Sequence, residues 1–182
     1  KEVASLDMIS NGRVVLGVGA GWNQEEMENH GAVYEKRWAI VREKVLAMKA
    51  IWSQDEPEFH GEFVDFDPLW SWPKPVQPGG PKVLIGAQSR WTWDRVVDYG
   101  DGWLPIALRG GCEEGMRDLR AACEASGRDF DAMEKAVFAP PPKLDAAKSL
   151  IEAGFTELAF SLPSVPSDEA LPLLDRFAEL AG

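Results

Sequence analysis

A chain of 182 residues is long enough to bury one sizeable core. Its 45% hydrophobic and 27% charged residues exclude intrinsic disorder, and no apolar run approaches the about 20 residues of a membrane-spanning helix. With 30 acidic against 19 basic residues the net charge is -11, which repels nucleic acid, because that binding needs Lys and Arg on the phosphates. Neither nucleic acid nor a membrane is therefore expected as a partner. An anionic ligand on such a surface needs a local nest of backbone N–H groups.

The chain starts at Lys1 with no signal pattern, and its topology reads as the later part of a longer protein. Cys112 and Cys123 fall eleven residues apart on one expected helix, about 16 Å along its axis, too far for a disulfide. Two free thiols suit a reducing cytoplasm. His30 and His60 have no neighbours at metal spacing, so no metal site is expected.

In chain order, residues 1–8 read as the end of a helix stopped by Asn11-Gly12. Residues 13–19 are apolar on both faces, as a buried parallel strand should be. Asn23 caps a short helix with Glu25 and Glu26 in its first turn. A long helix covers about 35–52, where Trp38, Val41, Val45, Met48 and Trp52 form one apolar stripe. Residues 57–67 suggest a small hairpin around His60-Gly61, and the Pro-rich stretch 70–81 an extended loop. The segment 53–81 is thus an insertion in an otherwise single domain of residues 1–182.

Four strand–helix units follow. Strands are expected at 82–86, 103–108, 135–139 and 158–162. The helices run from Ser89 to Tyr99, from 113 to 126, from 144 to 153 and from 168 to 180, the last with Leu171, Leu174 and Phe177 inward. Five strands each followed by a helix imply an α/β fold with a parallel sheet. Periodicity leaves two architectures open: an open doubly wound sheet, or strands four to eight of a closed barrel.

Gly17-Val18-Gly19-Ala20-Gly21 follows a strand and precedes a helix. The dinucleotide fingerprint, however, needs a third glycine where Trp22 stands, and an acidic residue ending a second strand about 20 residues on, where a helix lies instead. The plain reading is that these glycines let a strand end close to a flat ligand or a neighbouring backbone. Trp22 sits where it could border a pocket. Gly86-Ala87-Gln88-Ser89, with Thr92 one turn on, has two readings: a phosphate cradle of free N–H groups at a helix N-terminus, or Ser89 capping its own helix. Asp101 reads as a carboxylate paired with local N–H groups, and Arg37 and Glu43 as an ion pair or solvated face. No nucleophile elbow, Walker loop or Ser/Cys–His pairing supports hydrolytic chemistry.

These pieces together resemble the luciferase-like monooxygenases, particularly the subgroup dependent on coenzyme F420. The resemblance rests on Leu6-Asp7, Ser10-Asn11-Gly12-Arg13-Val14-Val15-Leu16-Gly17-Val18-Gly19-Ala20-Gly21-Trp22 and Glu26. It continues through Arg37, Phe59-His60-Gly61-Glu62-Phe63, Pro73-Lys74-Pro75-Val76-Gln77, Ile85-Gly86 and Tyr99-Gly100-Asp101-Gly102-Trp103, in that order. It implies a (β/α)8 TIM-type barrel, of which this chain carries about strands 4–8 with their helices, and a cofactor at the C-terminal strand ends.

The implied cofactor is F420, with FMN as the alternative, and the implied activity is hydride transfer to or from a small organic substrate. The cofactor phosphate is expected at Gly86, Ala87, Gln88, Ser89 and Thr92, where many relatives have a second glycine in place of Ala87. Gly19, Gly21 and Trp22 are expected to flank the ring or its tail. The reacting face in such families often draws on the first three strands, so no catalytic residue is assigned. The alternatives are a non-catalytic flavin-binding relative and a truncated remnant of the barrel. An open sheet edge predicts that residues 1–182 alone are poorly soluble or pair as a homodimer.

Overall fold

A computed structural model describes residues 1–181, which divide into two compact units. The first comprises Lys1–Ile85 with Asp98–Asp101, and the second Gly86–Val97 with Gly102 onwards.

The first unit opens with α1 (Glu2–Ser10), whose end is set by Asn11 and Gly12, both left-handed at φ 56° and 78°. Strand β1 (Val15–Val18) follows, then α2 (Gln24–Asn29). Asn23 accepts the Glu26 N–H at 3.3 Å, as the capping pattern requires. One 3-10 turn (Tyr34–Lys36) leads into α3 (Arg37–Ser53), slightly later than the stripe alone places it. Val45 and Trp52 of the stripe are buried and its other members half-buried.

The hairpin consists of β2 (Phe59–His60) and β3 (Asp65–Phe66), antiparallel, and β4 (Lys82–Ile85) closes the unit. Strands β1 and β4 pair in parallel from Val15 opposite Lys82 to Val18 opposite Ile85. The last three residues of β4 are at most 1% exposed, whereas the burial expected for residues 13–19 is not found. Strand β1 instead alternates between exposed and half-buried, with Val15 41% exposed. Burial of both faces needs cover that β1, at the end of its sheet, does not receive.

Buried carboxylates and distant backbone hold this unit together. Asp7 is fully buried and accepts the Val76 N–H at 2.9 Å, the Gln77 N–H at 3.1 Å and Gln77 Nε2 at 2.7 Å. Gln77 Nε2 also donates to the Val14 carbonyl at 2.7 Å, so the Pro-rich loop is tied to both ends of the α1–β1 junction. Lys74 Nζ donates to the Ile51 carbonyl at the end of α3. Arg37 and Glu43 are not an ion pair. Glu43 instead accepts the N–H groups of Glu62, Phe63 and Val64 across the hairpin turn, while Arg37 stacks on the Tyr34 ring and donates to its carbonyl. Three adjacent amides at a tight turn offer a carboxylate more than one guanidinium does.

The second unit runs through α4 (Thr92–Tyr99), β5 (Gly102–Trp103), α5 (Cys112–Ser126), β6 (Glu134–Phe138), α6 (Leu144–Glu152), β7 (Glu157–Ala159) and α7 (Ser167–Ala181). Strands β5, β6 and β7 pair in parallel. The strand expected at 103–108 is shorter. Pro105 has no N–H for a ladder, so β5 stops at Trp103; a single bridge joins Ile106 to Phe138, and Ala107–Arg109 form a 3-10 turn. Likewise β7 ends at Ala159 rather than reaching 162. Leu171 and Leu174 turn outward, 58% and 45% exposed, while Phe177 faces in and stacks on Phe160 at 5.1 Å.

Cys112 and Cys123 are buried on α5 as free thiols, and burial pushes both upward in pKa. Among the described residues no group of His, Cys, Asp and Glu could hold a metal, and no helix is long and apolar enough to cross a membrane.

Burial raises the Asp7 carboxyl, but the donors from Gln77, Val76 and Val14 outweigh it and hold the group below its ordinary 3.8. A depressed carboxyl contributes stability above that ordinary value and loses it as pH falls through the lower folded value. Asp7→Ala should cost roughly 3 kcal/mol in urea denaturation at neutral pH, because it strands donors at a buried site. The gap between variant and parent should narrow as the pH is lowered below about 3.8.

Candidate cofactor site

Each strand of a parallel α/β fold delivers a loop at its C-terminal end, and two such loops in the second unit carry the candidate site. The first, residues 86–91, leaves the fully buried Ile85 and becomes solvent-facing at Gly86. Trp103 Nε1 donates to the Ala87 carbonyl at 2.8 Å. A trans peptide sets C=O and the following N–H antiparallel, so the Gln88 N–H points away from that packed indole. The bond therefore orients one donor of the turn out of the core.

Ser89 does not open the helix. Helix α4 begins at Thr92, and the capping runs the other way: Thr92 Oγ1 accepts the Ser89 N–H at 2.9 Å. The Thr92 N–H donates to the Ser89 carbonyl at 2.9 Å, closing a compact turn. Thr92 is fully buried while Ser89 is exposed, so the buried hydroxyl is the one that completes the turn. The two hydroxyls lie 3.3 Å apart, and Arg95 reaches Ser89 Oγ at 3.4 Å. Of the proposed cradle donors the Ser89 amide is thus occupied within the turn, and its exposed hydroxyl faces outward.

Beside this turn lies a cleft of about 380 Å³, lined among others by Gln88, Ser89, Arg90, Trp103, Arg109 and Gly110. Trp103 is 1% exposed and fixed by Trp93 edge-on at 4.9 Å and Phe155 at 5.7 Å. It also rests on Gly115 of α5, where any Cβ would run into the indole ring. Arg90, Arg109 and the Gly110-Gly111 pair were not singled out in the sequence. The signal that could have found them is a glycine pair just beyond a strand that a proline cuts short.

In the first unit, Gly19 and Gly21 follow β1 and are exposed, Gly21 at φ 78° against the Met27 side chain. Trp22 is 80% exposed, so its indole is available to a flat ligand rather than used in packing. Asp101, expected to pair with local N–H groups, does so. It accepts the Val83 N–H at 2.9 Å, gives its own N–H to the Val83 carbonyl at 2.7 Å and pairs with Lys49 at 2.8 Å.

Residues 1–171 match the luciferase-like monooxygenase family. An uncharacterized protein of Mycobacterium tuberculosis is 38% identical over 181 residues, 98% of this chain and 63% of that protein. The chain thus spans less than two thirds of that relative's length. An FMNH(2)-dependent dimethylsulfone monooxygenase of Pseudomonas putida is 31% identical over 134 residues, 70% of this chain and 36% of that enzyme. Among solved structures, the monooxygenase RslO1 from Streptomyces bottropensis superposes with a TM-score of 0.79 at 17% identity, covering 98% of this chain and 70% of that one. An F420-dependent secondary alcohol dehydrogenase, in complex with an F420-acetone adduct, does so at 0.64 and 18%, covering 98% and 64%.

The turn's geometry predicts a measurable role for one methyl-for-hydroxyl exchange. Thr92→Val keeps the shape but leaves the Ser89 N–H without its acceptor. It should cost about 1–2 kcal/mol in thermal or urea unfolding and speed hydrogen exchange at the Ser89 amide.

Proposed function

Because this chain belongs to the luciferase-like monooxygenase family and carries part of that family's (β/α)8-barrel fold, we propose that the complete protein is an oxidoreductase that transfers a hydride between coenzyme F420 and a small organic substrate. The single observation that carries this is the turn after β4, which is solvent-facing, has small residues at Gly86 and Ala87, and has the Gln88 N–H turned out of the core by the Trp103 bond. Such a turn receives a phosphate through backbone dipoles, which a chain of net charge -11 needs in place of a broad basic surface.

The residues present fit a phosphate-bearing flavin or deazaflavin. Gly86, Ala87, Gln88 and Ser89 supply main-chain or hydroxyl donors, and Thr92 locks the turn in shape. In the first unit, the exposed Trp22 indole beyond Gly19 and Gly21 offers a face on which a flat ring could stack. When bound, the cofactor supplies the hydride chemistry at its ring, and the chain's part is to bind it, orient it and exclude water. FMN is the second reading, favoured by the 31% identity to an enzyme whose name specifies FMNH(2).

Titrating the full-length protein with F420 and with FMN, followed by cofactor fluorescence, tests the proposal. Saturable binding of F420 and not FMN is the expected result, binding of FMN alone moves the protein to the second reading, and binding of neither removes the enzyme reading. Gly86 is not among the residues with left-handed backbone, so it accepts a side chain conformationally. Gly86→Val should therefore fold normally yet weaken cofactor binding about tenfold, roughly 1.4 kcal/mol, by covering the exposed turn.

A further inference from the structure

The loop 106–111 that forms one wall of the 380 Å³ cleft is anchored at its ends, where Ile106 bridges to Phe138 and the Gly111 carbonyl accepts the Gly115 N–H, but little holds its middle. Leu108 is 74% exposed. Gly110 and Gly111 are consecutive left-handed residues at φ 71° and 73°, and nothing lies within 4 Å of where a side chain would project from either. Inside the loop the Arg109 and Gly110 N–H groups close short 3-10 bonds to the carbonyls of Ile106 and Ala107. Such bonds fix local curvature and leave the position of the loop's middle unset.

One side chain from the neighbouring turn supplies that position. Gln88 Nε2 donates to the Gly110 carbonyl at 2.9 Å, and Gln88 Oε1 accepts the Ile106 N–H at 3.4 Å. The two ends of a single amide thus grip the first and fifth residues of one loop. Between those two anchor points sits Arg109, which with Arg90 supplies the cations lining the cleft; Glu114 and Asp118 of α5 line it as well. In a cleft of mixed sign, where an anionic group can sit depends on where each guanidinium is held.

We propose that Gln88 is a positioning residue: its side chain ties the turn after β4 to the loop after β5, and so holds Arg109 against the anionic end of the cofactor. This rests on the reading of the cleft as the cofactor site. It assigns the Gln88 side chain to the protein's own loop and leaves its backbone N–H to the ligand. Glutamine suits the role because it carries donor and acceptor on one planar group. Glutamate at this position keeps the length and the acceptor while setting a negative charge against the Gly110 carbonyl.

The test uses the full-length protein and the variants Gln88→Glu, Arg109→Gln and the double variant. Hydrogen exchange of the cofactor-free protein reads the tie itself. Gln88→Glu should speed exchange in the 106–111 segment about fivefold, the loss of one hydrogen bond, and leave the β6 amides unchanged. Binding of whichever of F420 or FMN the parent protein takes up reads the consequence. Arg109→Gln should weaken that binding severalfold in the parent but hardly at all in the Gln88→Glu background, a coupling that a merely structural residue would not produce.

Unchanged exchange overturns the proposal, because Gln88 would then not hold the loop. Faster exchange with additive effects on binding also overturns it, because the tie would then serve stability alone. If the parent protein binds neither cofactor, the functional reading fails separately, and the exchange result still decides whether Gln88 sets the loop.

Discussion

The reciprocal pairing of Asp101 with Val83 is the constraint on which the proposed site depends. Asp101 gives its N–H to the Val83 carbonyl and takes the Val83 N–H on its carboxylate, with Lys49 neutralising the charge. A side chain here does what a strand ladder does, so β4 is held at its second residue by Asp101. The turn at Gly86 begins three residues later. Were Val83 free to slip, the register of β4 with β1 would slip with it.

Asp101 is one of a set. Asp7, Glu43 and Asp101 each accept N–H groups from a segment remote in sequence, Asp7 and Glu43 from loops and Asp101 from strand β4. Part of the acid excess in this chain is therefore spent on main-chain amides rather than displayed as surface charge. This explains why the Pro-rich loop adopts one path. It has few N–H groups to place in regular structure, and Asp7 takes two of them while Lys74 ties the loop to the end of α3.

Much of this was legible in the sequence, and the misassigned polar partners share a cause. Asn11-Gly12, the Asn23 cap and the stripe on α3 are local signals, and each element formed close to where it was read. The sequence also offered Gly86 to Ser89 as a ligand turn, and the turn is solvent-facing as that reading requires. What it could not offer was the partner of each polar group. Arg37 and Glu43 looked like a pair because they share a helix, yet Glu43 is claimed by three amides about 20 residues away. Ser89 looked like a cap because serine precedes the helix, yet Thr92, inside it, provides the acceptor. Hydrogen-bond competition is settled in three dimensions, and a side chain's type fixes its capacity but not its partner.

The same competition bears on why the candidate site contains so little reactive chemistry. A site that works through a bound cofactor needs donors fixed in space more than it needs acids or bases, and fixed donors come from backbone held by other groups. Trp103 orients the Ala87–Gln88 peptide, Thr92 closes the turn, and Gln88 reaches across to the next loop. Each uses its polar atoms on the protein itself. Substitution at Thr92 or Trp103 would therefore act through the direction of an amide in the turn rather than through the loss of an exposed group.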